Sequence, residues 1–566
     1  MMGSGSSSPA KRATKEKPAQ RQGAQADSPV LDGGAGGATG NGGGTGVDES
    51  AADARAEQSE REAGSTGDYE SDSDVEFDRV SVPTARPPRP EIVPTELVRE
   101  DLHHPVVESS MPKGWADVHS PDPPPNQLTL EFIYGYRAHD SRANLHYTAS
   151  GEVVYPVATL CVVYEPQTHS QRFYAGHTAE VGCLAVHPDG EYVASGQAEV
   201  GGQGEAAPIF VWSSVSLDTT TVLPVAHEGG VAAVAFARRV GGASNLGREG
   251  GQRANRILCS VGHDAGHTLI VWDWMRGVRL AQARAHTAPI FALAACADES
   301  GLLSIVTGGA RSIKFWSLVG STLRSKKGEL GQHAPATKSD GFGALRASPT
   351  FTALAFLQDG TGRLVSATAR GELMLWEGNR LVHYVKASTL PIFAIVAWAG
   401  GVATGGKDGR VSLWPAEWPS MLEGQLAPIR VYELREMVRG FADAAGRPLA
   451  LAGSDTPCVR ALACAGEKLL VGTRTSEVFE LAFEQGLDYP TLGMLAQGHA
   501  PSRDGGGLGG LIVARPSEEQ MVTAGSDKTL RVWSAARTCM VGMRLLAAEA
   551  CALAAAPDGS ALAVAL

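Results

Sequence analysis

One recurring phrase constrains the fold more than any other feature of the chain: an apolar run, a short turn holding Gly or Asp, and a second apolar run that closes on Trp. It is written "VASGQ…IFVW" to Trp212, "CSVGHDAGHTLIVW" to Trp272, "VTGGARSIKFW" to Trp316, "VSATARGELMLW" to Trp376, "VATGGKDGRVSLW" to Trp414 and "VTAGSDKTLRVW" to Trp533. A Trp-less copy, "VGTRTSEVFEL", ends at Leu481. Each copy alternates apolar and polar residues with period two on both sides of its turn, the pattern of a β-hairpin. No stretch offers sustained helical periodicity, so the predicted class is all-β. The Trp-to-Trp steps are 60, 44, 60 and 38 residues, then 119 across the Trp-less copy. A four-stranded unit needs about 40–45 residues, so the longer steps imply loop insertions. Gly241 to Arg256 and Lys326 to Ser348, rich in Gly, Ser and charge, read as two of them.

The first hundred of the 566 residues do not share this pattern. Gly33 to Gly46 is almost all Gly with Ala, Thr and Asn, and Asp48 to Asp78 holds 12 Asp/Glu against Arg55 and Arg61. Ordering a residue costs about 1–2 kcal/mol, and this segment has too few apolar side chains to offset it, so it reads as a disordered acidic tail. The tail carries −7 of the net charge of −12. The mildly acidic remainder gives no reason to expect nucleic acid as a partner. Lys11, Arg12, Lys15, Lys17 and Arg21 form a short basic cluster, and Ser71 and Ser73 sit among acids as candidate phosphosites. No apolar run reaches the length of a membrane span, and no membrane partner is expected. The eight cysteines contain no C-x-x-C pair and fall mostly in apolar runs, as expected of buried thiols in a reducing, intracellular compartment.

The repeated phrase resembles the WD40 repeat, over most of residues 170–566. In that family a His from a Gly-His pair, a Ser or Thr on the next strand, a turn Asp and the strand Trp form a hydrogen-bonded chain. Gly498-His499, Thr523, Asp527 and Trp533 match in order, and Gly176-His177 opens the first full copy. Asp264 and Asp408 stand at turn positions of other copies, while Ala310 and Ala369 replace the acid, which leaves those blades to rely on packing and to be less regular. The implied architecture is a β-propeller in which each blade buries its faces on its neighbours.

A longer window, Leu128 to Gln197, resembles the hydrophobic motif (HELP) of the echinoderm microtubule-associated protein-like family running into its first WD repeat. The residues that carry the likeness are Tyr134, Gly135, Tyr136, Arg137, Asp140, Arg142, Asn144-Leu145, Gly151 to Tyr155, Gln171-Arg172 and Gly176-His177-Thr178. "CLAVHPDG", "VWSSVSL" and "IVWDWMRG" add to it. The resemblance implies a propeller followed by the start of a second, and a scaffold that binds tubulin or microtubules in the cytoplasm and cytoskeleton, with the cilium as one setting and other proteins on its propeller faces. The organisation expected is 1–100 acidic tail, 101–126 Pro-rich linker, 127–175 HELP motif as part of the first propeller, 176–485 its WD blades, and 486–566 a last blade or the start of a second propeller. The chain stops inside "ALAVAL", a strand whose partners are missing from the sequence. The trimerisation coiled coil of some members finds no apolar heptads in residues 1–100.

Two roles remain open for Tyr134 to Asn144: a structural joint, or a contact with the partner. Leu128 to Glu165 sets Arg137 and Arg142 against four acids, with Asp140 placed to pair with both arginines, which favours the joint. Other features are decoys. "GVATGGK", Gly401 to Lys407, has the spacing of a phosphate-binding loop, but Asp408 follows where Ser or Thr belongs and no helix comes after it. His103-His104 with Asp101, and His263, Asp264 and His267, have metal-ligand types without ligand spacing. No catalytic residue, cofactor or metal is expected, and the alternative function is an adaptor that recruits signalling or ubiquitin-ligase partners.

Overall fold

In a computed structural model of the chain, the described residues are 129–198, 206–239, 255–298, 301–330, 348–398, 401–418, 426–439, 457–483, 490–500, 511–515, 519–557 and 560–566. All belong to one unit, Ser71–Leu566; a separate unit, Met1–Glu70, lies outside them, as do the basic cluster, His103-His104, Ser71 and Ser73.

The described chain is built of antiparallel four-stranded sheets in sequence order, here called blades. Blade 1 spans 146–174, blade 2 181–228, blade 3 231–284, blade 4 290–327, blade 5 351–386, blade 6 392–433 and blade 7 459–496. Blade 4 gains a fifth, two-residue strand, Arg238–Arg239, which runs parallel to its innermost strand. The innermost strands of blades 2 to 7 lie side by side in order, and that of blade 7 returns to blade 1. The side chains close the ring. Val154, Cys161, Val163 and Tyr174 of blade 1 share a core with Leu184, Val193 and Trp212 of blade 2. Tyr155, Val162 and Tyr164, on its other face, share one with Ala461, Leu470 and Val478 of blade 7. Blade 1 is therefore apolar on both faces, which is why "VVYP" and "LCVVY" are unbroken apolar runs rather than alternating ones.

Beyond the ring lie a terminal sheet of Leu511–Arg515, Gln520–Ala524, Thr529–Ser534 and Cys539–Leu545, and a hairpin in which Leu562–Ala565, expected from the sequence to lack a partner, pairs with Ala552–Ala555. Among the described residues the only helix is α1, Leu434–Arg439, whose Leu434 and Val438 fill the core between blades 6 and 7. No described helix is long and apolar enough to cross a membrane.

The turn-less-acid expectation is corrected by the structure. Blades 4 and 5 form complete sheets; the strand pairs joined by the Ala310 and Ala369 turns keep unbroken register, and the bulges of these blades lie in other strand pairs, as in the other blades. In blade 5 a neighbouring acid takes over: buried Glu372 accepts from Thr368 Oγ1 at 3.1 Å, and its N–H donates to the same hydroxyl. Lys326 and Lys327, read as the start of an insertion, instead finish the outer strand of blade 4, Thr322–Lys327. Outer strand Thr491–Ala496 carries blade 7 past residue 485.

Candidate functional site

The residues that carry the strongest sequence signal, 129–145, form no helix or strand, yet they are held at almost every position. Such a segment must satisfy its backbone with side chains. Ile133 does so through Gln171, whose Oε1 accepts from its N–H at 2.8 Å and whose Nε2 donates to its carbonyl at 3.1 Å. Tyr136 does so through Ser476 of blade 7, which accepts from its N–H and donates to its carbonyl, both at 2.9 Å. The segment acts as a strap laid across the ring.

Each strap residue contacts a different part of the molecule. The Tyr134 ring lies 4.4 Å from that of Trp533 in the terminal sheet. Gly135 has φ +109° and passes so close to Gly498 that a Cβ on Gly498 would sit 2.4 Å from its Cα, so neither position admits a side chain. The Tyr136 phenol donates to Asn144 Oδ1, and its ring fills the space a Cβ on Gly472 would need. Burial raises the Tyr136 pKa well above that of a free phenol, so it stays a donor. Fully buried Asn144 donates to the Arg137 carbonyl and to Ser141 Oγ, both at 2.6 Å.

The charged residues divide in a way the sequence did not predict. Arg137 makes a two-pronged bond with Asp140, at 2.9 and 2.6 Å, and reaches Glu180, the residue that leads into blade 2, at 2.6 Å. Burial acts to raise the Asp140 pKa, but the Arg137 hydrogen bonds and charge outweigh it and hold the carboxyl below its usual range. Arg142 does not share Asp140. Its guanidinium stacks 5.2 Å from Phe291 of blade 4 and 4.9 Å from Phe393 of blade 6, with Arg460 of blade 7 over Phe393 at 4.7 Å. Phe291, Phe393 and Arg460 each sit at a bulge near the start of an innermost strand, where the register shifts by one residue. A planar cation between two rings gains from both faces what a point charge would not. The strap thus ties blades 2, 4, 6 and 7 and the terminal sheet together, and leaves His139 and Asp140 as its part-exposed polar edge.

The blade signature is equally specific. Every repeat Trp donates its indole N–H to a hydroxyl one strand inward: Trp212 to Ser195, Trp272 to Ser260, Trp316 to Thr307, Trp376 to Ser366, Trp414 to Thr404 and Trp533 to Thr523, at 2.7–3.0 Å. The terminal sheet completes the chain, His499 Nε2 meeting Thr523 at 2.7 Å and Nδ1 meeting Asp527 at 3.0 Å. Burial acts to raise the Asp527 pKa, but the His499 bond and the Arg531 charge bring it down to about 2. In blade 2, His177 meets Ser195 at 2.6 Å and Gln197 at 3.1 Å, and burial lowers its pKa to about 4. Gly176 precedes it, packed under the Tyr174 ring.

Asp264 accepts from the backbone N–H groups of Gly266 and Thr268, and His267 faces the Gly262 carbonyl; the pair serves a turn. Asp408 accepts from Arg410 N–H and from Ser388, and "GVATGG" is a blade strand, Gly401–Gly406. Among the described residues no group of three metal-ligating side chains gathers. Sequence reasoning missed a recurrent clasp. Thr368 with Glu372, Thr473 with Glu477 and Thr148 with Glu152, the last bridged by Ser150, close hairpins where Asp is absent. The signal was present as Thr-x3-Glu across each turn.

Residues 170–480 match the family described as "Echinoderm microtubule-associated protein first beta-propeller", and residues 123–162 match the HELP motif. Echinoderm microtubule-associated protein-like 2 of Mus musculus is 31% identical over 450 residues, covering 78% of this chain and 59% of that protein. The like-1 protein of Rattus norvegicus is 28% identical over 494 residues, 85% of this chain and 53% of that protein. For the like-3 protein of Mus musculus the figures are 29%, 73% and 43%. The chain spans about half the length of these relatives.

Proposed function

The chain belongs to the echinoderm microtubule-associated protein-like family, and from that premise we propose that it is a non-enzymatic scaffold that binds tubulin or microtubules through its propeller. The observation that carries the reading is the contiguous pairing of strap and ring, matched over 123–162 and 170–480, in a chain whose relatives bear microtubule association in their names. The strap side chains are spent on internal contacts, which leaves the blade faces as the binding surfaces. The setting that follows is the cytoplasmic microtubule cytoskeleton.

Two assays on the full chain test this: co-pelleting with polymerised microtubules, and capture of soluble tubulin. Retention in either is the expected result. Absence from both, with the ring folded by circular dichroism, overturns the reading. Recovery of signalling or ubiquitin-ligase subunits without tubulin would put the adaptor in its place.

A further inference from the structure

The outermost strands of blades 3, 4 and 5 differ in charge from the rest of the molecule. Val278–Arg284 carries Arg279 and Arg284, Thr322–Lys327 carries Arg324, Lys326 and Lys327, and Arg380–Lys386 carries Arg380 and Lys386; none carries Asp or Glu. This is a concentration of positive charge in a chain of net −12. All seven side chains are exposed. Among the described residues none of them forms an ion pair, whereas Arg172 of blade 1 is paired with Glu152 and Arg410 of blade 6 with Glu433. The outer strands of blades 2 and 7 hold no Lys or Arg.

The three strands are contiguous. Thr322–Lys327 packs beside Val278–Arg284. Its end is bound to blade 5 by Glu329 N–H to the Asn379 carbonyl at 2.7 Å and Leu381 N–H to the Glu329 carbonyl at 3.0 Å. The acids at the margin are Glu329, which accepts from the Asn379 amide, Glu377, in register with Arg380, and Asp273, 3.8 Å from Arg276.

We propose that this belt is a docking surface for an extended acidic peptide segment of a partner protein. Its charge is the complement of such a segment: Arg279, Arg284 and Lys386 donate to Gln282 and to the Ala265 and Arg370 carbonyls, but among the described residues no carboxylate neutralises any of the seven. Arg324 and Lys326 repeat along one strand at about 6.6–7 Å, the spacing at which an extended peptide presents every second side chain. Each strand is the edge of its sheet; Glu329 already bridges to Arg380 and takes the Leu381 N–H, but the outward backbone groups of Val278–Arg284 and Thr322–Lys327 can pair with an added strand, which a peptide offers and a nucleic acid does not. The belt strands also lack the stacking platform of a single-strand reader, Tyr384 being their one exposed aromatic. The surface lies apart from the strap and does not depend on the tubulin reading.

The test uses the full chain and a fluorescein-labelled peptide of alternating Glu and Gly, with its Gln counterpart, read by anisotropy. The Glu peptide is expected to bind, more weakly as salt rises, and the Gln peptide not to bind. R324E/K326E should weaken binding about tenfold or more, and the neutral K326Q/K327Q by less, while R537E/R544E, two exposed arginines of the terminal sheet, should leave it unchanged. Equal loss in the belt and control pairs, equal binding of the Gln peptide, no binding by the wild-type chain, or tighter binding of an oligouridine of equal length would each overturn the proposal.

Discussion

Blade 1 and the terminal sheet are held together by opposite means. The terminal sheet has the full hydrogen-bonded chain, His499 to Thr523 to Trp533 with Asp527 and the buried Arg531 at the turn. Blade 1 has no Trp and no such chain; Val153, Val154, Tyr155, Cys161 and Val162 are wholly buried between blades 2 and 7. Neighbours on both faces fix its side chains, and its clasp is the Thr148–Ser150–Glu152 contact at one turn. The difference predicts where damage spreads: a lesion in blade 1 should reach the whole ring, and one in the terminal sheet should stay local.

The largest effect is expected from Tyr155→Ala. Its ring meets Tyr136 edge-on at 6.0 Å, and its hydroxyl accepts from Gln171 at 3.2 Å, so the cavity opens at the junction of strap and ring. Removing a buried aromatic costs about 3–5 kcal/mol. Urea unfolding should show that loss across the ring, and a loss under about 1 kcal/mol would break the comparison. Next comes Asp527→Ala, which strips the partner from Arg531, 1% exposed, at a cost of about 3 kcal/mol. Hydrogen exchange should lose protection over 520–545 and keep it over 153–165. Equal loss in both would show that the ring and the sheet unfold together.

These two regions also show what was legible in the sequence. The terminal sheet could be read residue by residue, since each member of its chain is a polar residue at a set distance from a Trp. In blade 1 the hairpin from Val153 to Tyr164 was legible but its surroundings were not, because apolar runs do not say which neighbour covers them. The roles of the strap were partly hidden for the same reason. Asp140 was expected to bridge Arg137 and Arg142, but Arg142 was drawn to Phe291 and Phe393, which lie about 150 and 250 residues along the chain and meet only when the ring closes. Ala310 and Ala369 misled because a missing acid was equated with a missing clasp. Glu372 sits three residues beyond Ala369 and does the same work from the next strand.

Acid separates the two regions more gently. His177 in blade 2 faces Gln197 rather than a carboxylate, and its folded pKa of about 4 lies below the unfolded value. As pH falls from about 6.5 to 4 the unfolded chain takes up a proton that folded His177 refuses, so stability declines through that window, by up to about 3 kcal/mol. His146 and His263, also near 4 through burial, add in the same direction. The Asp527 carboxyl, held near 2, keeps its contribution until pH drops below its unfolded value. Urea midpoints at pH 7 and pH 4.5 should therefore differ more for the wild type than for His177→Gln. An unchanged difference would remove His177 as a source of acid sensitivity.

The smallest effect sharpens the comparison most, because it asks whether the strap is joint or contact surface. Asp140 is 38% exposed on its side chain and Arg137 11%, so water weakens their attraction, while the two-pronged geometry keeps the pair near the upper end for surface bridges. Asp140→Ala should cost about 1 kcal/mol, with Arg137 retaining Glu180, and Asp140→Asn less. If the strap is a joint, microtubule co-pelleting of the folded fraction is unchanged and only the melting temperature falls. If binding is lost while melting is unchanged, the part-exposed edge at His139 and Asp140 meets the partner directly. The internal partners of Tyr136, Arg142 and Asn144 weigh toward the first outcome, since a residue already committed on both sides has no face left to offer.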